Sequence, residues 1–126
     1  EEAYRVHQLS IDINNQIAQF AKEGVACSDV YNRTMEIVAE NKMEDYFMGT
    51  TQQAKFVGHG VGLEINEPPV FAARTREVLK KNMAIALEPK FVLPGIGAVG
   101  IENTYFVTET GLEKVTVCEE DIILLQ

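Results

Sequence analysis

The 126-residue sequence has no apolar run long enough to cross a bilayer, which excludes a membrane-spanning helix as an expectation. It lacks an excess of positive charge. Nineteen acidic residues oppose eleven basic ones, for a formal charge of −8, and such a surface is poorly suited to holding nucleic-acid phosphates. It has only two cysteines, Cys27 and Cys118, far apart and in no CxxC or metal-type spacing. The plain reading is two reduced, partly buried thiols in a cytoplasmic protein, with a disulfide or a reactive thiol as the less ordinary alternatives. No internal repeat, low-complexity stretch or linker interrupts the chain. The opening Glu1-Glu2 has neither the basic segment of a secretory signal nor an initiator methionine, and reads as a trimmed boundary. The length fits one domain, and 46% hydrophobic residues suffice for a core.

Residues 1–42 carry helical periodicity. Leu9, Ile13, Ile17 and Phe20 form one apolar stripe, with Asp12, Asn14, Gln16 and Gln19 between them. Gly24 is expected to end this helix as a left-handed cap residue. Ser28 is expected to cap a second helix whose buried side carries Val30, Tyr31, Ile37 and Val38, and which Asn41 and Lys42 close.

The pattern then changes. Gly49, Gly58, Gly60 and Gly62 mark tight turns or close backbone contacts, and Pro68-Pro69 bars a regular helix or a central strand. A short helical turn is expected over 74–81. Met83–Leu87, Val99–Thr108 and Lys114–Val117 read as strands. Helices first and strands later imply an α+β domain, with helices packed on one face of a mainly antiparallel sheet.

Three polar residues sit where a polar group is awkward. His59 lies between two glycines. Glu88 ends the apolar run 83–87, and Glu102 lies inside the β-rich segment 99–107. A carboxylate in a buried strand costs several kcal/mol, roughly, unless it is paired or bound to a cation. Two such carboxylates and an imidazole would suit Mn, Fe, Co or Zn better than Ca or Mg. The competing reading is a solvated edge glutamate and a hydrogen-bonded turn histidine, and pattern alone leaves both open.

The local motifs go further. Gly58-His59-Gly60-Val61-Gly62-Leu63-Glu64-Ile65-Asn66-Glu67-Pro68-Pro69 closely resembles the GHGxGLxxHExP stretch of the pita-bread metallopeptidases. These comprise methionine aminopeptidases, Xaa-Pro aminopeptidases and Xaa-Pro dipeptidases. Ala86-Leu87-Glu88-Pro89 resembles their TIEP stretch, and Gly97–Thr104 resembles GGVRIEDT. The three motifs occur in the family's order, and two preceding helices fit as well. The resemblance implies that residues 1–126 form the carboxyl-terminal part of a pita-bread catalytic domain, helices packed on a curved antiparallel sheet. It places metal ligands at His59, Glu88 and Glu102, a proton-shuttling role at Glu88 and a substrate contact at Asn66. It implies two divalent metals (Mn, Co, Zn or Fe) per complete domain, and a short peptide as substrate. The spacings of 29 and 14 positions between the three ligands look more like those of the Xaa-Pro enzymes.

The departures have consequences. Two aspartate ligands of the family precede the helices there, and nothing here matches them. This chain alone is therefore expected to be inactive and to bind at most one metal weakly. Asn66 replaces a histidine, Gly100 an arginine, Asn103 an acidic residue and Ala86 a threonine or serine. These changes favour a second reading, a non-catalytic module that binds a peptide or protein. A missing partner half would also leave a sheet edge open, so either a two-fold homodimer or a monomer with a blunted edge is expected.

Overall fold

Two helices and seven short strands follow one another in the computed structural model, which describes residues 1–125. Helix α1 runs Glu2–Phe20 and buries Val6, Leu9, Ile13 and Ile17. Phe20, the last of the stripe, is 39% exposed where the helix runs out. Gly24 takes a left-handed φ of 90°, but three residues beyond Ala21, which ends the helix in an extended conformation. Helix α2 runs Cys27–Glu40 and buries Val30, Tyr31, Ile37 and Val38. Lys42, at a φ of 56°, closes it after Asn41. Neither helix is long and apolar enough to cross a membrane.

One expectation about α2 is corrected. Ser28 lies inside the helix, and Ala26 precedes it without a side-chain cap. The Cys27 N–H instead donates to the Glu77 carbonyl at 3.0 Å. The same contact replaces the helical turn expected over 74–81. Leu79 N–H donates to the Val25 carbonyl and Gly24 N–H to the Leu79 carbonyl, each at 2.9 Å. Local helix propensity is weak, and backbone pairing between distant segments overrides it here.

The strands are β1 (Gly58–Gly60), β2 (Glu67–Val70), β3 (Ala84–Leu87), β4 (Lys90–Leu93), β5 (Gly97–Gly100), β6 (Asn103–Val107) and β7 (Leu112–Lys114). Five form an antiparallel sheet in the order β2-β1-β3-β6-β7, while β4 pairs with β5. Pro68 and Pro69 lie in β2 at the sheet's edge, where missing N–H donors are tolerated. The strand expected at 114–117 lies earlier, at Leu112–Lys114, and that expected over 99–108 is two strands with a gap at Ile101-Glu102.

That gap has a counterpart. Leu87 pairs with Asn103 across β3 and β6, and Lys90 pairs with Gly100 across β4 and β5. One register therefore runs through both pairs. They form a single antiparallel ribbon, interrupted at Glu88-Pro89 opposite Ile101-Glu102. Helix α1 packs on β4, β5, β7 and α2. The Phe47 and Phe91 rings meet at 5.3 Å and 57° in the core, an edge-tilted contact that aromatic quadrupoles favour.

Candidate metal centre

His59 is held by the strand squeezed between β2 and β3. A Cβ on Gly58 would lie 2.2 Å from the Ala86 carbonyl oxygen, and one on Gly60 would lie 2.4 Å from that of Pro68. Only glycine fits on that side, and His59 points to the other. Its Nδ1 lies 2.9 Å from the Gly60 carbonyl oxygen. A carbonyl only accepts, so Nδ1–H is the donor here, and in the neutral imidazole this leaves Nε2 as the nitrogen open to a cation.

Register brings the carboxylates to the same place. His59 pairs with Ala86, and side chains two apart share a face, so Glu88 lies on the face of His59. Extending the Leu87–Asn103 pairing by one residue sets Glu88 opposite Glu102. The Glu88 N–H donates to the Val57 carbonyl at 2.9 Å, which fixes its backbone in the interrupted stretch. One ligand atom from each of His59, Glu88 and Glu102 lies within 4.8 Å of the others. His59 Nε2 stands 3.8 Å from Glu88 Oε2. Like charges directly opposite on neighbouring strands repel. A neutral imidazole nitrogen and two such carboxylates are a donor set that fits one divalent cation.

Glu102 is exposed, unlike the other two. Its backbone is tied down by a buried network. Asn14 of α1 donates through Nδ2 to the Ile101 carbonyl at 3.2 Å, and its Oδ1 accepts from the Tyr105 hydroxyl at 3.3 Å. Burial pushes the Tyr105 hydroxyl above its ordinary pKa, with a partial offset from Asn103.

Asn66 is exposed and lines a cavity of about 330 Å³ with Phe56, His59, Val70 and Glu88. It stands beside His59 and Glu88 there. Asn103 is turned elsewhere. It is buried, its Nδ2 donates to Glu120 Oε1 at 2.9 Å, and its Oδ1 has no partner among the described residues. Ala86 faces His59 across the strand pair and Gly100 faces Lys90. Glu64 is a solvated turn residue, whereas the Glu67 carboxylate accepts the Glu64 N–H at 3.2 Å and fills the space over Gly62. Both thiols are free and neither belongs to the site. Cys27 is buried, and burial, aided by Glu77, pushes its pKa up to about 11. Cys118 is exposed rather than partly buried.

Phe56, Val70, Lys90, Asn14 and Tyr105 were not singled out from the sequence. Lys90 alone had a legible signal, since it stands two positions after Glu88 in a strand-like stretch.

The three residues His59, Glu88 and Glu102 together form a candidate divalent-metal site on this fold. The family model for metallopeptidase family M24 matches residues 1–109, and the chain belongs to that family. A curated Xaa-Pro dipeptidase from Pyrococcus furiosus is 31% identical over 98% of this chain, which covers 34% of that protein. The crystal structure of an X-Pro aminopeptidase from Thermotoga maritima superposes with a TM-score of 0.88 at 26% identity, over 99% of this chain and 33% of that one. An Xaa-Pro dipeptidase from Bacillus anthracis gives 0.86 at 30% identity, over 99% and 34%. The architecture is thus that of the pita-bread prolidases and aminopeptidases. The chain spans about a third of the length of the relatives it matches.

Proposed function

We propose that this chain is the carboxyl-terminal part of a metal-dependent exopeptidase domain that removes the amino-terminal residue of short peptides, with proline in the second position preferred. The single observation that carries this reading is the convergence of one ligand atom each from His59, Glu88 and Glu102 within 4.8 Å. These three residues would hold a divalent metal, which when bound supplies a hydroxide near neutral pH and polarises the scissile carbonyl. The His59 Nδ1–Gly60 bond keeps Nε2 available as a ligand. The Glu88 carboxylate, largely sheltered from water, would carry a proton to the leaving amine. Asn66 would meet the peptide from the wall of the adjoining cavity, whose Phe56 and Val70 offer apolar contact for a side chain or a proline ring. An amide at 66 can hydrogen-bond the peptide but cannot take up a proton near neutral pH.

A second reading, a peptide-binding module without turnover, is favoured by Asn66, Ala86, Gly100 and Asn103, which replace polar or charged groups of the family. Turnover of Xaa-Pro dipeptides and Xaa-Pro-extended peptides with added Mn²⁺ or Co²⁺ separates the two. The assay belongs on the full-length protein that carries this chain. The exopeptidase reading expects metal-dependent release of the first residue, and a loss of about 10³-fold or more in Glu88→Ala. Peptide binding without hydrolysis would leave the module.

A further inference from the structure

The rung next to the two carboxylates carries a cation that the metal centre does not use. Lys90 and Gly100 face each other two positions beyond Glu88 and two before Glu102, in the same ribbon. Strand alternation puts that rung on the face of the ligands. The side chain agrees: Lys90 Nζ lies 3.9 Å from Glu88 Oε2, the oxygen that also faces His59. Glu88, Lys90, Gly100 and Glu102 line one cavity of about 200 Å³.

The facing strand has no room for a cation of its own. A Cβ on Gly100 would stand 2.7 Å from both Cα and Cβ of Lys90, and 2.5 Å from the Pro89 carbonyl oxygen. The GGVRIEDT motif has an arginine where this chain has Gly100. One position of the rung has thus lost its charged side chain, and the other carries one that reaches the ligands.

We propose that Lys90 is a positioning residue, the cation of this rung moved to the opposite strand, and that it holds the Glu88 carboxylate toward His59 and Glu102. The proposal rests on the metal-centre reading of those three residues. The ammonium offsets the repulsion between Glu88 and Glu102, and restricts the Glu88 side chain to the orientation in which Oε2 faces His59 Nε2.

Two measurements on the intact chain test this. The first needs no metal. Lys90→Met and Glu88→Gln are made singly and together, and each variant is unfolded in urea. A coupled pair makes the double variant's unfolding constant differ by about 3-fold from the product of the single effects, and simple additivity overturns the proposal. The second is calorimetric titration with Mn²⁺. Lys90→Met is expected to bind about 10-fold more weakly than the unsubstituted chain. Lys90→Arg, which keeps the cation, is expected to remain within about 2-fold of it. Unchanged or tighter binding by Lys90→Met overturns the positioning role. A chain that takes up no manganese at all overturns the metal centre instead, and the urea cycle still decides whether Lys90 holds Glu88.

Discussion

The two sides of the site are built differently. His59 lies in β1, where glycine is required on both sides of it by carbonyl oxygens 2.2 and 2.4 Å from an added Cβ, and Glu88 directly follows β3, its N–H donating to the Val57 carbonyl at 2.9 Å. Glu102 stands opposite Glu88 in the interruption of the ribbon, and the Ile101 carbonyl before it is held by a helix through Asn14. The first side is fixed by backbone pairing and by the lack of room for a Cβ at 58 and 60. The second is aimed by side-chain hydrogen bonds, which are individually weaker and more easily changed. A candidate metal centre assembled this way would have two residues held by backbone pairing and a third that can adapt.

The largest effect is expected from breaking the rigid side. Gly58→Ala drives a methyl group into the Ala86 carbonyl and the Phe71 ring. It should cost about 3 kcal/mol, as overpacking at a site that cannot relax does. Urea unfolding checks the cost, and Mn²⁺ titration should show binding lost. A variant of unchanged stability would show that β1 has slack that the carbonyl contact denies.

Asn14→Leu breaks the other side. It leaves the Tyr105 hydroxyl and the Ile101 carbonyl without this partner, at about 2 kcal/mol. The sharper readout is local. Amide hydrogen exchange should quicken at residues 101–103, while 58–60 and 85–87 keep their protection relative to global unfolding. Equal loosening of both groups would erase the distinction between the two sides.

The smallest effect concerns the helix layer away from the site, and separates its general stability from its hold on Glu102. The Cys27 thiol ionises at about 11 in the folded chain against an ordinary 9.0. The folded state therefore keeps a proton that the unfolded state loses. The resulting stabilisation is complete below pH 9 and falls away as pH rises toward 11. Unfolding free energy followed across that window should decline less steeply in Cys27→Ala. Identical slopes would remove Cys27 from the alkaline response.

Much of this was legible beforehand, for physical reasons. The stripe Leu9, Ile13, Ile17 announced α1, because burial on a 3.6-residue period leaves few alternatives. His59, Glu88 and Glu102 stood out because a charged or polar group beside glycines or inside an apolar run is costly without a use. Other features depended on distant partners. The charged stretch around Arg74–Lys81 favours a helix locally, and only its pairing with 24–27 makes it extended. Strand β4 lies between Pro89 and Pro94, where no strand was expected. The gap at Ile101-Glu102 needs the register of two strand pairs and the reach of Asn14, neither of which neighbouring residues reveal. Lys90 was the omission that local alternation could have corrected.

The composition of β2 sets how this molecule meets other chains. Half of its four residues are prolines, so half of its positions have no amide hydrogen to offer an approaching strand. Growth of the five-stranded sheet by a second copy, or by a misfolded neighbour in a crowded solution, is hindered on that side. The remaining margin of that sheet is β7, three residues long, with Lys114 engaged by Glu120. A two-fold assembly built by joining sheets would have to pass through that short segment. The proline pair that precedes Val70, a residue of the cavity beside His59, is thus a guard against edge-to-edge pairing on that side.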